Sequence, residues 1–254
     1  MNNDSEFNAG ATQLFWTDSF FMWVLLLLIQ IFFFSIITVI ILQITGWNFN
    51  EIFLLFGIYG SPFGVWLSVL VTEIGTLLIS LGYLKYLRKK NIGIKKLTGI
   101  KEFNLHNNLL GILYVPLIFF TGIFISNIQS FFFEIPSDTF IYGLIFKPKN
   151  FWELLIWIIM MFAVVGPIEE IVFRGIIQKG FRNTFEEIEK PNWLSAIIGA
   201  LLFSAFHVDL IRFLPIFFMG LLLGLVYNST DSSMVCAITH GTYNSITIIL
   251  MAIL

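Results

Sequence analysis

The chain has 254 residues, of which 57% are hydrophobic and 12% charged, with a mean hydropathy of +0.88. A water-soluble domain carries about a quarter charged residues, so this composition excludes one and points to an integral membrane protein. The net charge of −2 offers no electrostatic footprint for nucleic acid.

The length fits an all-α polytopic bundle of seven or eight transmembrane helices, crossing the cell membrane several times. Apolar runs place spans at 20–44, 62–84, 109–133, 151–178, 194–208, 212–228 and 233–254. The first run is long enough to span, and no small-residue cleavage site follows it. It reads as a retained helix rather than a removed signal. Phe53 to Tyr59 is apolar but short: a re-entrant piece, or an extension of the second helix, which opens on Pro62, a favoured first-turn residue.

Seven of the 14 Lys and Arg fall between Lys85 and Lys101, which makes that loop cytoplasmic by the positive-inside rule. Counting from it puts the N-terminus and the stretches 179–191 and 228–232 inside, and 134–150 outside. Trp47, Trp152 and Trp193 fall at the predicted interfaces, where aromatic belts form. No internal repeat or soluble domain is visible. Residues 1–150 read as N-terminal scaffold helices and 151–254 as a second helical unit, the core of the chain.

Charged residues inside spans are costly and mark functional sites by default. The fourth span carries Glu169-Glu170-Ile171-Val172-Phe173-Arg174. Consecutive helical residues point about 100° apart, so the two acids do not share a face. Glu170 and Arg174 stand at the i,i+4 spacing of an ion pair. That leaves Glu169 free to face a cavity. A buried Glu–Arg pair that merely orients two helices is the alternative reading of this run alone. Glu73, near the centre of the second span, is protonated, paired with an arginine such as Arg174, or part of a polar cavity.

Three histidines weigh on that choice. His106 lies in a polar stretch and reads as exposed. His207 ends Phe203-Ser204-Ala205-Phe206-His207, and His240 opens His240-Gly241-Thr242-Tyr243-Asn244, both in apolar segments. A single intramembrane His is usually a helix–helix hydrogen-bonding group. Two of them, with an Asn and a pair of acids, are harder to explain as independent packing. At about 1.5 Å per residue, Glu169, His207 and His240 lie about 14, 20 and 11 Å from the cytoplasmic ends of their spans. They can therefore share one pocket.

Such a pocket meets the needs of peptide hydrolysis. A carboxylate helped by one His takes a proton from water, and the other His with the amide stabilises the oxyanion. The same set, Glu169, His207 and His240, is also able to ligate a divalent metal such as zinc that activates the water. No His-Glu-x-x-His run is present. Ser195, Ser204 and Cys236 have no base at a telling spacing, which speaks against a serine or cysteine nucleophile. Cys236 reads as a small buried hydrophobe.

At these residues the chain resembles the CAAX protease and bacteriocin-processing (CPBP, or Abi) family of intramembrane proteases. The pattern Glu-Glu-x-x-x-Arg, Phe-x-x-x-His, His-x-x-x-Asn is present in order within about residues 160–250, with no departure at a motif position. The resemblance implies an intramembrane endopeptidase with a cavity open to the cytosol. Glu169 would be the base, His207 would assist the water, and His240 with Asn244 would form the oxyanion site, supported by Glu170 and Arg174. Its partners would be the lipid bilayer and a membrane-associated peptide, CAAX-like, bacteriocin or other. The family has been described both as metal-dependent and as metal-independent, so the resemblance leaves the cofactor open.

Two other functions compete. A non-catalytic self-immunity or scaffold protein would keep the pocket without using it. A proton-coupled transporter would use Glu73, Glu169 and the histidines as relay groups, although such proteins usually carry internal repeats.

Overall fold

The computed structural model describes residues 14–46, 62–87, 98–133, 147–185 and 191–253, and every long element in them is helical. Helices α1 (Trp16–Ile44), α2 (Pro62–Leu87), α3 (Leu105–Phe132), α4 (Phe151–Thr184), α6 (Phe213–Thr230) and α7 (Ser233–Ile253) are long and apolar enough to cross a membrane. Between them α5 (Pro191–Phe206) is a shorter helix. The protein is a multi-pass all-α membrane bundle, with six candidate spans and one shorter apolar helix among the described residues. The stretch Phe53 to Tyr59, Trp47 and most of the basic loop lie outside the described residues.

The helices begin and end close to the apolar runs, with shifts that have local causes. Helix α3 starts at Leu105 because the Asn104 side chain accepts a hydrogen bond from the Asn107 amide, capping the free end. Exposed His106 lies in its first turn. Helix α4 starts after Asn150, which caps it through the Glu153 amide. It continues past residue 178 to Thr184, because its polar last turn is tied to the start of the chain. There the Trp16 amide donates to Thr184 Oγ1 at 2.7 Å, and Asn183 Nδ2 donates to the Leu14 carbonyl at 3.0 Å.

Helix α4 is the axis of the fold. Its central stretch packs Val172, Phe173, Ile176 and Ile177 against Met22 and Leu26 of α1, Leu84 of α2 and Phe203 of α5. In its N-terminal half Trp157 and Met160 meet Ile248 of α7, together with Val65 and Trp66 of α2. Two π-helical segments, Met161–Val165 and Phe173–Gln178, flank the short α-helical piece Gly166–Val172 that carries both acids. Such widened turns rotate the side chains that follow and cluster at functional sites.

Lipid offers helices little hydrophobic reason to associate, so small residues at crossings set how closely they approach. Helices α4 and α7 cross at Gly166 and Gly241. A Cβ at Gly166 would lie 2.9 Å from the Gly241 nitrogen, and one at Gly241 would lie 2.9 Å from the Phe162 Cα. The α5–α6 hairpin closes in the same way. Gly220 faces Ala200, and Gly224 faces Ala196, each with 3.3 Å between a notional Cβ and the opposing Cα.

Candidate active site

The Gly166–Gly241 crossing lays His240 of α7 beside the acids of α4. Its Nδ1 lies 3.0 Å from Glu170 Oε1 and 3.7 Å from Glu169 Oε2. The other oxygen of Glu170 takes the Arg174 Nε at 2.8 Å. Glu170 and Arg174 are fully buried and His240 nearly so. The arginine is further served by the Phe203 ring, whose centroid lies 4.9 Å from its Cζ. Arg174, Glu170 and His240 thus form one buried chain of charge-assisted contacts.

His207 enters from the opposite side. The sequence reading places it within a span; the structure ends α5 at Phe206 and sets His207 in the turn that follows. Its Nδ1 is 2.8 Å from the Phe203 carbonyl. A carbonyl only accepts, so Nδ1 carries the proton and Nε2 of the neutral ring is an acceptor. Nε2 faces Glu169 Oε1 at 3.9 Å, with both side chains partly accessible at 28% and 13%. That separation is too long for a direct hydrogen bond and suits one water held between two acceptors.

The sequence-selected residues therefore divide into groups. Glu169, His207 and His240 converge, and Glu170 with Arg174 backs His240. Asn244 is half-buried one turn beyond His240 on the same face of α7. Ser204 donates to the Phe213 carbonyl, and the buried Cys236 thiol, in no disulfide, donates to the Leu223 carbonyl at 3.5 Å.

Glu73 is the residue on which pattern reading says least. Arg174 is taken by Glu170, and the Glu73 carboxyl interacts electrostatically with that of Glu169. The signal lay in helical spacing. Trp66, Leu70 and Glu73 follow one stripe of α2, and Trp66 stacks edge-on against Trp157 of α4 with centroids 6.2 Å apart.

Residues 150–246 match the family described as type II CAAX prenyl endopeptidase, Rce1-like. This segment is a CPBP-family domain. The chain matches no curated protein and no solved structure. The CPBP domain begins at the N-cap of α4 and ends just past Asn244, so it encloses the whole converging set. Its family membership, inside a multi-pass helical bundle, supports an intramembrane endopeptidase acting on peptide or protein substrates.

A divalent metal would need its donors to meet at one point. Glu170 engages His240 Nδ1 and the Phe203 carbonyl engages His207 Nδ1, so the two Nε2 atoms, with Glu169, are the donors left for one. Among the described residues no three His, Cys, Asp or Glu side chains are arranged around one point to hold an ion.

Proposed function

We propose that the CPBP domain hydrolyses a peptide bond of a membrane-associated, CAAX-like substrate by water activated between Glu169 and His207. The observation that carries this reading is the 3.9 Å gap between Glu169 Oε1 and His207 Nε2, with the imidazole tautomer set by the Phe203 carbonyl.

A water in that gap donates one hydrogen to each acceptor and points its lone pairs away from both. Glu169 takes the proton as the water oxygen attacks the carbonyl carbon, and the C–O bond forms as the carbonyl electrons move to oxygen. His240 and Asn244 supply donors to that oxyanion. Donation from His240 Nε2 requires the imidazolium, and the ionised Glu170 at Nδ1 supports that charge. The proton held by Glu169 then passes to the amide nitrogen, the C–N bond breaks, and the amine leaves. The carboxylate is restored as the acid product departs. No step passes through a metal.

The test uses purified protein in detergent with an internally quenched, prenylated peptide ending in a CAAX sequence, beside its unprenylated counterpart. Glu169→Gln removes the base at constant shape and is expected to lower kcat by about 10²–10⁴-fold with an unchanged unfolding temperature. Equal cleavage by both proteins would remove Glu169 from the role of base.

A further inference from the structure

Two non-glycine residues among those described have a left-handed backbone, Val208 and Asp231, both with φ of 51°. Asp is one of the few residues that visit this region readily; a β-branched residue is a true outlier there. Val208 directly follows His207. It is 62% exposed, so no packing around its side chain accounts for the conformation.

The turn around it is built to hold that shape. The His207 and Val208 amides close the end of α5 on the Ser204 and Ala205 carbonyls, each at 3.2 Å. Asp209 Oδ1 accepts from the amides of Ile211 and Arg212 at 3.0 and 2.9 Å. Gln129 of α3 donates to the Ile211 carbonyl, and Ser204 donates to the Phe213 carbonyl. Contacts on both sides of Val208 thus over-determine its backbone, the condition under which a strained residue persists.

A helix that ends in a left-handed residue usually has Gly or Asn there. Leu210 is 91% exposed and the Arg212 side chain, paired with Asp209, is half-exposed, so no packing in this turn demands a valine. Glycine would remove the strain, but it would also widen the range open to the backbone next to His207.

We propose that Val208 is a positioning residue for His207: the hydrogen bonds of the turn hold its backbone left-handed, and the β-branched side chain narrows the range that backbone explores, which keeps the imidazole aimed at Glu169. This rests on the hydrolytic reading of the site. A stiff valine at this position trades stability for a fixed ring.

The experiment compares wild type with Val208→Gly and Val208→Ala in detergent. It measures unfolding temperature, steady-state kinetics on the quenched prenylated CAAX peptide, and the ring carbon signals of ¹³C-histidine-labelled protein. Three histidines give three ring signals, assigned by substitution. Val208→Gly is expected to unfold at an equal or higher temperature. Its kcat is expected to fall about tenfold or more with KM changed less than about twofold, as misplacement of a reacting group does. The His207 signal shifts or broadens while that of His240 stays. Val208→Ala keeps a Cβ and is expected to lie between the two in kcat and in the His207 signal. A Val208→Gly protein that unfolds at a lower temperature, or keeps wild-type kcat and an unchanged His207 signal, overturns the proposal. If wild type itself does not cleave the probe, the hydrolytic reading fails on that substrate. The unfolding temperature and the His207 signal then decide the positioning role by themselves.

Discussion

Glu170, the fully buried member of the acid pair, holds His240 Nδ1 at 3.0 Å, whereas Glu169 stands 3.7 Å from the same nitrogen. The two neighbouring carboxylates therefore do different work. Glu170 spends both oxygens, one on the imidazole and one on Arg174 Nε. Glu169 spends neither on a contact within hydrogen-bonding distance among the described residues, and stays partly accessible. One acid is committed to a ring and a guanidinium; the other keeps both oxygens uncommitted, as the base proposed above requires.

That division predicts opposite phenotypes. Removing one partner of a buried pair leaves an uncompensated charge, at a cost of about 3–5 kcal/mol. Glu170→Gln should therefore lower the unfolding temperature in detergent sharply and lose activity with it. Glu169→Gln should leave the unfolding temperature within about a degree or two of wild type. Similar unfolding temperatures for the two variants would contradict the division.

The α4–α7 crossing carries the next prediction. A methyl group at position 241 would meet the Phe162 Cα at 2.9 Å, backbone that cannot swing aside. Gly241→Ala must push α7 outward, and His240 is the adjacent residue. Overpacking of this kind costs about 1–3 kcal/mol. We expect that loss of stability together with a larger fall in kcat, about tenfold or more, because the His240–Glu170 contact lengthens. Gly82 faces open space, so Gly82→Ala is the control and should leave kcat unchanged.

Much of this was legible in the residue order, for physical reasons that also set the limit. The Glu170–Arg174 pair follows from helical spacing alone, and the spans follow from hydropathy. The His240–Glu170 contact does not, because it joins two helices and depends on how closely Gly166 and Gly241 let them approach. The π-helical turns on either side of the acids leave no mark in composition. The end of α5 was read about two residues late, at 208. Its stop signal is a left-handed valine, where a glycine or asparagine would have announced the helix end. Glu73 looked solitary in its own helix, since its neighbour of interest, Glu169, belongs to another.

The donor geometry bears on metal dependence. His207 and His240 both keep Nε2 free, but Glu169 Oε1 and His207 Nε2, 3.9 Å apart, would have to close on a common centre to hold an ion. We expect cleavage of the quenched peptide to survive prolonged treatment with a strong chelator. Bound zinc measured by mass spectrometry should stay well below one ion per chain, and activity should not follow it. Loss of activity on chelation, restored by stoichiometric zinc, would replace the water mechanism proposed above.

The last prediction concerns the end of the bundle where Asp231 joins three elements. Lys101 Nζ lies 2.7 Å from one of its oxygens, and Arg182 of α4 contacts the other. The Ser233 amide and hydroxyl bind the carbonyls of Gly99 and Thr98, fastening the stretch before α3 to the start of α7. Burial pushes the Asp231 carboxyl up, but hydrogen bonds from Lys101 and Arg182 outweigh it and hold the group below the usual aspartate range. A carboxyl lowered on folding stabilises fully above its unfolded value of about 3.9, and that contribution fades as pH falls through the lower folded value. The side chain is 44% exposed, so solvent screening limits the contribution to about 1 kcal/mol or less. Asp231→Asn isolates the charge, because Asn also tolerates the left-handed backbone that Asp231 adopts. Above about pH 5 the variant should unfold about 2–4 °C or less below wild type, and the gap should close on acidification below about pH 4. A gap that persists unchanged to pH 3 would mean that the carboxylate charge does not hold this junction.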